Sequence, residues 1–385
     1  MGRSSLRPLR WAPWPRQEVH VAETGGAPMI VRSVGWFPNH ESRPIVSVVM
    51  PCRNEEALIA SSLDSVEAND FPMDQVEILV VDDGSNDHTR EILSNIARRY
   101  SNIRLISNPS RGTASALNVG VLASQGSVVI RMDAHSTYPS NYIALLVGAL
   151  TQYGADNVGG VWEIRPRTAT PIGRAIALSL GHRFGVGNST YRIGAASPTE
   201  VDTVPFGCWP REVFDRIGLF DERLTRNQDL DFNHRLRKAG GRIVLLPSLS
   251  ITYYCRSGFW ETWQHNAANG YWVTYGWLLT GSKFSWRHMI PGLSVCFLVA
   301  GLIAALALSI WPLLVAVFIY ITLLGFATLQ IGQRSGDWEA AIRLPVVFSA
   351  LHVSYGVGSL NGLLHGVWLR MKRIIASVRR GPLRR

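Results

Sequence analysis

Three short acidic groups in this chain have the residue types and spacing to do chemistry. Val80-Val-Asp-Asp-Gly-Ser85 and Arg131-Met-Asp-Ala-His135 each close an apolar run, and Thr225-Arg-Asn-Gln-Asp-Leu-Asp-Phe232 opens a polar, helix-like stretch. A carboxylate at Asp82 or Asp83 can accept hydrogen bonds from a heterocyclic N–H and a ribose hydroxyl, and Gly84 allows the turn that exposes it. A plain Asx/Gly turn that caps the next helix through Ser85 or Asp87 accounts for the same residues equally well. Asp133 and His135 are two residues apart, so on an extended chain they point the same way. With diphosphate oxygens they make a ligand set for Mn²⁺ or Mg²⁺, and the ring nitrogen favours Mn²⁺. Asp229 is placed to take a proton from a hydroxyl. An acid that merely complements a helix dipole is the plainer reading of this stretch, and it fits Asp231. In this order, the three groups suggest a nucleotide-sugar site with a metal and a base.

Other residues join them with weaker signals. Arg111, ahead of a helix opening at Thr113, can meet a phosphate together with the helix N–H groups. Tryptophans are dense at 209, 260, 263, 272 and 277. Trp209 reads as a platform for a sugar ring, whereas Trp272 and Trp277 read as an aromatic belt at a membrane interface. Cys52, Cys208, Cys255 and Cys296 form no C-x-x-C pair, which argues against a disulfide framework or structural zinc and fits a reducing compartment.

Alternating elements must position these groups. Apolar runs at 45–50, 76–81, 103–106 and 127–132 read as strands buried on both faces. Helical periodicity follows each of the first three, from about Glu55 (with Asn54 as N-cap), over 87–100 and over 113–123. That alternation predicts an α/β fold with a mostly parallel, right-handed, doubly wound sheet. Further strands are expected at 158–162 and 242–246, and a helix over 228–239 ending at Gly240-Gly241. No G-x-G-x-x-G follows the first strand and no P-loop occurs, so a dinucleotide fold and a P-loop NTPase are disfavoured.

The composition adds a membrane. Of 385 residues, 47% are hydrophobic and only 17% charged, with a net charge of +10. The basic residues crowd both ends, which suits membrane orientation and anionic lipid. A basic stripe with interleaved aromatics is missing from the central region, so nucleic acid is not an expected partner. Residues 1–43 read as a basic, aromatic-bearing arm and 370–385 as a basic cytoplasmic tail. No charge occurs between His288 and Arg334, long enough for two spans that break at Trp311-Pro312. The uncharged stretch 344–369 is a third spanning or re-entrant segment. Lys283 and Arg287 before the first span and the basic tail should share the cytoplasmic side. Two spans satisfy this and three do not, so two full spans are favoured. Residues 291–369 are thus assigned to the membrane and 271–290 to its interface.

Val46-Ser-Val-Val-Met-Pro-Cys-Arg-Asn-Glu-Glu56, Val81-Asp-Asp-Gly-Ser-Asn-Asp87, Asn118-Val-Gly120, Asp133-Ala-His135 and Asn227-Gln-Asp-Leu-Asp-Phe232 together resemble the family 2 glycosyltransferases of GT-A fold. The D-A-H variant and C-terminal apolar segments are similar to the ExoA-type glucosyltransferases of succinoglycan synthesis. The resemblance covers residues 44–270 and implies a nucleotide-sugar-binding GT-A domain followed by transmembrane helices. It implies an inverting, metal-dependent, membrane enzyme with a cytoplasmic catalytic domain. That enzyme would use a UDP-sugar donor, glucose first, and a lipid-linked saccharide acceptor, within a polysaccharide-assembly system. It assigns Asp83 to the donor uracil, with Pro51, Arg53, Glu55, Asp82, Arg111 and Asn118 around the nucleotide. Asp133 with His135 becomes the metal site and Asp229 the catalytic base. Trp209, Gln228, Arg256 and Gln264 fall to the sugar or acceptor. His135 stands where the family has a second acid, and Gln228 where an acid often precedes the base. No Q-x-x-R-W motif occurs, which disfavours processive synthesis. A polyprenyl-phosphate sugar transferase, a nucleotidyltransferase and a membrane scaffold with a degenerate transferase domain remain alternatives.

Overall fold

A computed structural model describes residues 45–282 and 285–379. The arm 1–43, Lys283 and the last six residues of the basic tail lie outside the described residues. Among the described residues, nine strands form one sheet: β1 Val46–Cys52, β2 Val76–Asp82, β3 Ile103–Ser107, β4 Val128–Arg131, β5 Ser136–Thr137, β6 Asn157–Pro166, β7 Thr199–Glu200, β8 Cys208–Pro210 and β9 Ile243–Cys255. The helices of the first half are α1 Ile59–Glu67, α2 Thr89–Ala97, α3 Thr113–Ala123, α4 Tyr142–Tyr153, α5 Pro171–Leu180, α6 Arg183–Val186, α7 Thr190–Ile193 and α8 Glu212–Ile217. Those of the second half are α9 Gln228–Lys238, α10 Phe259–Thr280, α11 Ile290–Ala307, α12 Trp311–Ser335, α13 Trp338–Ala341 and α14 Leu344–Arg379.

The sheet order is β3-β2-β1-β4-β8-β6-β9-β5, with β7 beside β9. The first four strands are parallel, as the alternation predicts. Beyond β4 the sheet is mixed: β8 runs antiparallel to β4 and β6, and β6 pairs parallel with β9. Continuous apolar runs suit β1 and β2 because helices cover both faces. Val46, Val48 and Met50 enter one core with α1 and α4, and Val49 enters the other with α3. Gly120 of α3 makes that second approach close, since a Cβ there would lie 2.3 Å from Val49 Cγ1. The helix expected from Glu55 starts later, at Ile59, and Asn54 adopts a left-handed turn (φ 54°) instead of capping it. There its side-chain carbonyl accepts the Asn86 N–H at 2.9 Å, tying the ends of β1 and β2 together.

The third uncharged stretch is a single helix, α14, of 36 residues and thus about 54 Å long. Its glycines are not chain breaks. A Cβ at Gly358 would lie 2.0 Å from the Ala267 carbonyl oxygen, and one at Gly362 2.3 Å from that of Tyr271. They let α14 lie directly along α10, which runs unbroken through residue 270. Polar side chains lock the pair: Asn266 donates to Leu351 O at 2.6 Å and Thr274 to Ser359 O at 2.7 Å. The apolar stretches Trp286–Ala307 and Trp311–Ser335 are long and apolar enough to cross a membrane, each with a mean hydropathy of 2.3. Most of their large side chains are exposed, Phe297 and Phe318 among them.

Candidate active site

Parallel register sets the nucleotide end. Cys52 sits opposite Asp82, so the loops leaving β1 and β2 run side by side, and the Asp83 N–H donates to Cys52 O at 2.8 Å. Asp83 Oδ1 accepts Asn108 Nδ2 at 2.7 Å and the Gly112 N–H at 2.9 Å, which fixes the carboxylate plane. Its Oδ2 lies 3.9 Å from Arg53 Nη1. Asp82 has a different surrounding: Oδ1 accepts the Ser85 N–H at 3.1 Å and Oδ2 pairs with Arg90 at 3.3 Å. The turn-cap reading therefore describes Asp82, while Asp83 keeps an oxygen turned to the cleft. Pro51 is the last residue but one of β1, and exposed Arg111 reaches beside Gly84, whose φ is +75°. Asn118 stands apart from them. Its amide is used up on Phe220 and Glu222 (2.8–2.9 Å), buried between α3 and the loop after α8, so it holds the scaffold and is turned away from the nucleotide side.

At the end of β4, Arg131 grips Asp133 with two parallel bonds of 2.8 and 3.0 Å. Burial works against the charge on Arg131, but Asp133 and Asp229 outweigh it and hold the guanidinium above its ordinary range. Asp229, in the first turn of α9, thus lies within electrostatic reach of the guanidinium that grips Asp133, although 96 residues separate the two acids in sequence. Asn227, at φ 60°, starts that helix and donates to Asn269 O at 3.1 Å, which anchors the turn. Asp231 faces away and pairs with Arg235 at 2.9 Å.

His135 Nδ1 is 3.6 Å from Glu55 Oε1, and both Glu55 oxygens accept Arg167 Nη2 at 3.0 Å. Glu55 therefore sits at the His135 end of the cleft. Burial pushes the His135 imidazole below its usual range against the pull of Asp133 and Glu55, so at neutral pH it is an uncharged nitrogen donor. Among the described residues no three His, Cys, Asp or Glu side chains converge on one ion position. One carboxylate and one neutral imidazole nevertheless fit a divalent ion whose other ligands are diphosphate oxygens and water. Each Asp133 oxygen accepts a single Arg131 N–H and has a further lone pair.

The sugar-platform reading of Trp209 is corrected. The side chain is 3% exposed and packs edge-on against Phe214, Phe220 and Phe232 in the core beneath the sheet. Three-residue β8 is too short for its alternation to show in the sequence. The aromatics beside the site are instead Trp162 and Tyr253, stacked at 4.0 Å, with Tyr253 edge-on to His135 at 5.4 Å. Arg192 lies 4.8 Å over the Trp162 ring. Gln228 is 6% exposed at the start of α9, next to Asp229. Arg256 pairs with Glu261 at 3.1 Å. Gln264 faces solvent, and its neighbour His265 turns inward to meet Arg226 Nη1 at 2.9 Å. Burial, then Arg256, Arg226 and Arg192, drive the His265 pKa down to about 2, so its Nδ1 is the acceptor in that bond. Arg131, Arg167, Arg192, Arg226 and His265 carried no motif.

Residues 47–218 match the family described as Glycosyl transferase family 2. The matched segment is a family 2 glycosyltransferase domain. The chain is 28% identical to the succinoglycan biosynthesis protein ExoA of Rhizobium meliloti (strain 1021), over 82% of this chain and 94% of that protein. It is 24% identical to the dolichyl N-acetyl-alpha-D-glucosaminyl phosphate 3-beta-D-2,3-diacetamido-2,3-dideoxy-beta-D-glucuronosyltransferase of Methanococcus voltae, over 83% of this chain and 98% of that one. The solved mannosyltransferase PcManGT of Pyrobaculum calidifontis, in complex with GDP-Man and Mn²⁺, superposes with a TM-score of 0.51 at 21% identity. That match covers 83% of this chain and 88% of the other, and it shows the shared GT-A fold. The family 2 match ends at residue 218, ahead of Asp229.

Proposed function

We propose that the protein is a membrane-associated, inverting, non-processive glycosyltransferase. It moves glucose from UDP-glucose to a hydroxyl of a lipid-linked saccharide, at residues 44–270 and on the cytoplasmic side. The observation that carries this reading is that Arg131 grips Asp133 through two hydrogen bonds and lies within electrostatic reach of Asp229, an acid at a strand end and an acid at a helix start.

Asp83 accepts the N–H of the donor base, held for this by Asn108 and Gly112. Asp133 and His135 would hold the divalent ion, whose charge offsets that of the diphosphate leaving group. Asp229 removes the proton of the acceptor hydroxyl. The oxygen then attacks the anomeric carbon from the face opposite the departing UDP, so the new bond has inverted configuration. The support is the family, the relative named for succinoglycan biosynthesis, a Mn²⁺-bound neighbour of the same fold and two apolar helices beside the domain.

The test is UDP release by the full-length protein in nanodiscs, with a panel of UDP-sugars, Mn²⁺ or Mg²⁺ and a lipid extract as acceptor source. Metal-dependent turnover of one donor is expected. Asp229→Asn should lower it by about 10²–10⁴-fold while UDP still binds. A variant that stays active would favour an acceptor that is already an anionic phosphate and needs no base. Release of diphosphate instead of UDP would mean nucleotidyl transfer, and absence of UDP binding would leave a scaffold.

A further inference from the structure

Where α12 ends, a cavity of about 430 Å³ opens between β6, α5 and that helix terminus. Ile164, Ala177 and Leu178 give it an apolar wall, Ser335 marks the end of the apolar helix, and Trp162 and Arg192 close the far side. Two arginines line it, and they differ in their partners. Arg174 is saturated: it binds Asp337 and Glu339, each at 2.6 Å, and Ala169 O at 2.9 Å. Asp337, the acid in the lining, is neutralised by the same contact. Arg192 meets the Tyr191 hydroxyl at 3.2 Å and the ring faces of Trp162 and Tyr191, and among the described residues it has no carboxylate within ion-pair distance. Beyond the ring lie Tyr253 and His135, so Trp162 is the partition between this cavity and the catalytic cleft. A second such guanidinium, Arg226, meets His265 and Asn269 and no carboxylate among the described residues, three residues before Asp229.

Arg192 and Arg226 are half-buried, and a partly desolvated guanidinium without an acid is under-compensated until an anion completes it. An apolar wall reached from the end of a bilayer-length helix asks for an alkyl chain. We propose that this cavity holds the phosphate or diphosphate head of the lipid acceptor, with Arg192 as its cation, and that the attached saccharide passes Trp162 and Arg226 to reach Asp229. This rests on the transferase reading above and adds to it where the lipid end of the acceptor binds. The other source of the same chemistry is the diphosphate of the donor.

The two sources separate in a binding experiment on the full-length protein in detergent, with farnesyl diphosphate and UDP as independent probes. The wild type should bind both. Arg192→Gln should weaken farnesyl diphosphate by about tenfold and leave UDP within about twofold, with Arg192→Lys restoring part of the loss. Retained UDP affinity also shows that the variant is folded. Ala177→Phe, which fills the apolar wall without touching charge, should act in the same direction. Three results overturn the inference: no farnesyl diphosphate binding by the wild type, unchanged binding by Arg192→Gln, or an equal loss for UDP, which would assign Arg192 to the donor. Binding of UDP without farnesyl diphosphate leaves the transferase reading standing, and binding of neither removes both.

Discussion

Asp83 and Asp82 have the same side chain and adjacent positions, and their bonds decide what each does. Asp83 is held by Asn108 and Gly112 with its second oxygen turned to Arg53, whereas Asp82 is consumed by Ser85 and Arg90. Asp83→Asn should therefore raise the UDP dissociation constant by about tenfold, and Asp82→Asn should lower the melting temperature more than it changes UDP binding. The opposite assignment in calorimetry would exchange their roles. His265 makes a pH prediction of definite sign. In the unfolded chain it takes up a proton near its ordinary 6.5, but in the fold only at about 2. Its contribution to stability is complete above 6.5 and declines as the pH falls below that value. Between pH 6.5 and 5 this side chain alone removes about 2 kcal/mol. Burial lowers the His135 pKa too, so that residue acts in the same direction. His265→Gln should flatten the acid limb of a melting-temperature profile, and a profile that keeps its slope would count against this. At this scale the positions of Asp83, Asp133 and His135 just past strand ends and of Asp229 at a helix start were legible because their motifs are local. Arg131 and Arg192 were not, since each acts through a partner that only the fold supplies.

The parallel half of the sheet was legible from apolar runs and their spacing, since strands buried on both faces need no alternation. The second half was not. Two- and three-residue strands such as β7 and β8 leave no periodic trace, and the register shift between Gly160 and Val161 depends on the bulge of β9 opposite it. The glycines of α14 carried a similar ambiguity: the same residues suit a broken segment or a close helix pair, and only the surface of α10 decides. Gly358→Ala should cost about 1–3 kcal/mol, because the nearest atom is the fixed carbonyl of Ala267 rather than a movable side chain. Gly325→Ala in α12, with nothing within 4 Å, is the matched control and should be neutral or slightly stabilising. Equal melting temperatures for the two variants would mean that α10 and α14 are free to separate.

Both ends of the α11–α12 pair are tied to the transferase region. Ahead of α11, Arg287 pairs with Asp202 at 2.9 Å. At the end of α12, Gln330 meets His182 at 2.9 Å, and just beyond it Asp337 meets Arg174 at 2.6 Å. A chain that leaves and returns at the same face crosses a bilayer an even number of times. If α11 and α12 both span, the turn at residues 308–310 would lie on the far side, and α14, with Arg370 and Lys372, would begin on the near side. That arrangement would put both basic flanks on one side, which the positive-inside tendency makes the cytoplasmic one. It can be read by labelling. In a Cys296→Ala background the remaining cysteines are buried, so Ser309→Cys and Ser110→Cys, the latter exposed on the transferase domain, each report one side. A membrane-impermeant maleimide added outside intact cells should label Ser309→Cys and leave Ser110→Cys unlabelled until the membrane is opened. If neither reacts before opening and both react after it, α11 and α12 lie along the cytoplasmic surface, and the apolar faces of Phe297 and Phe318 are buried in one leaflet instead of spanning two.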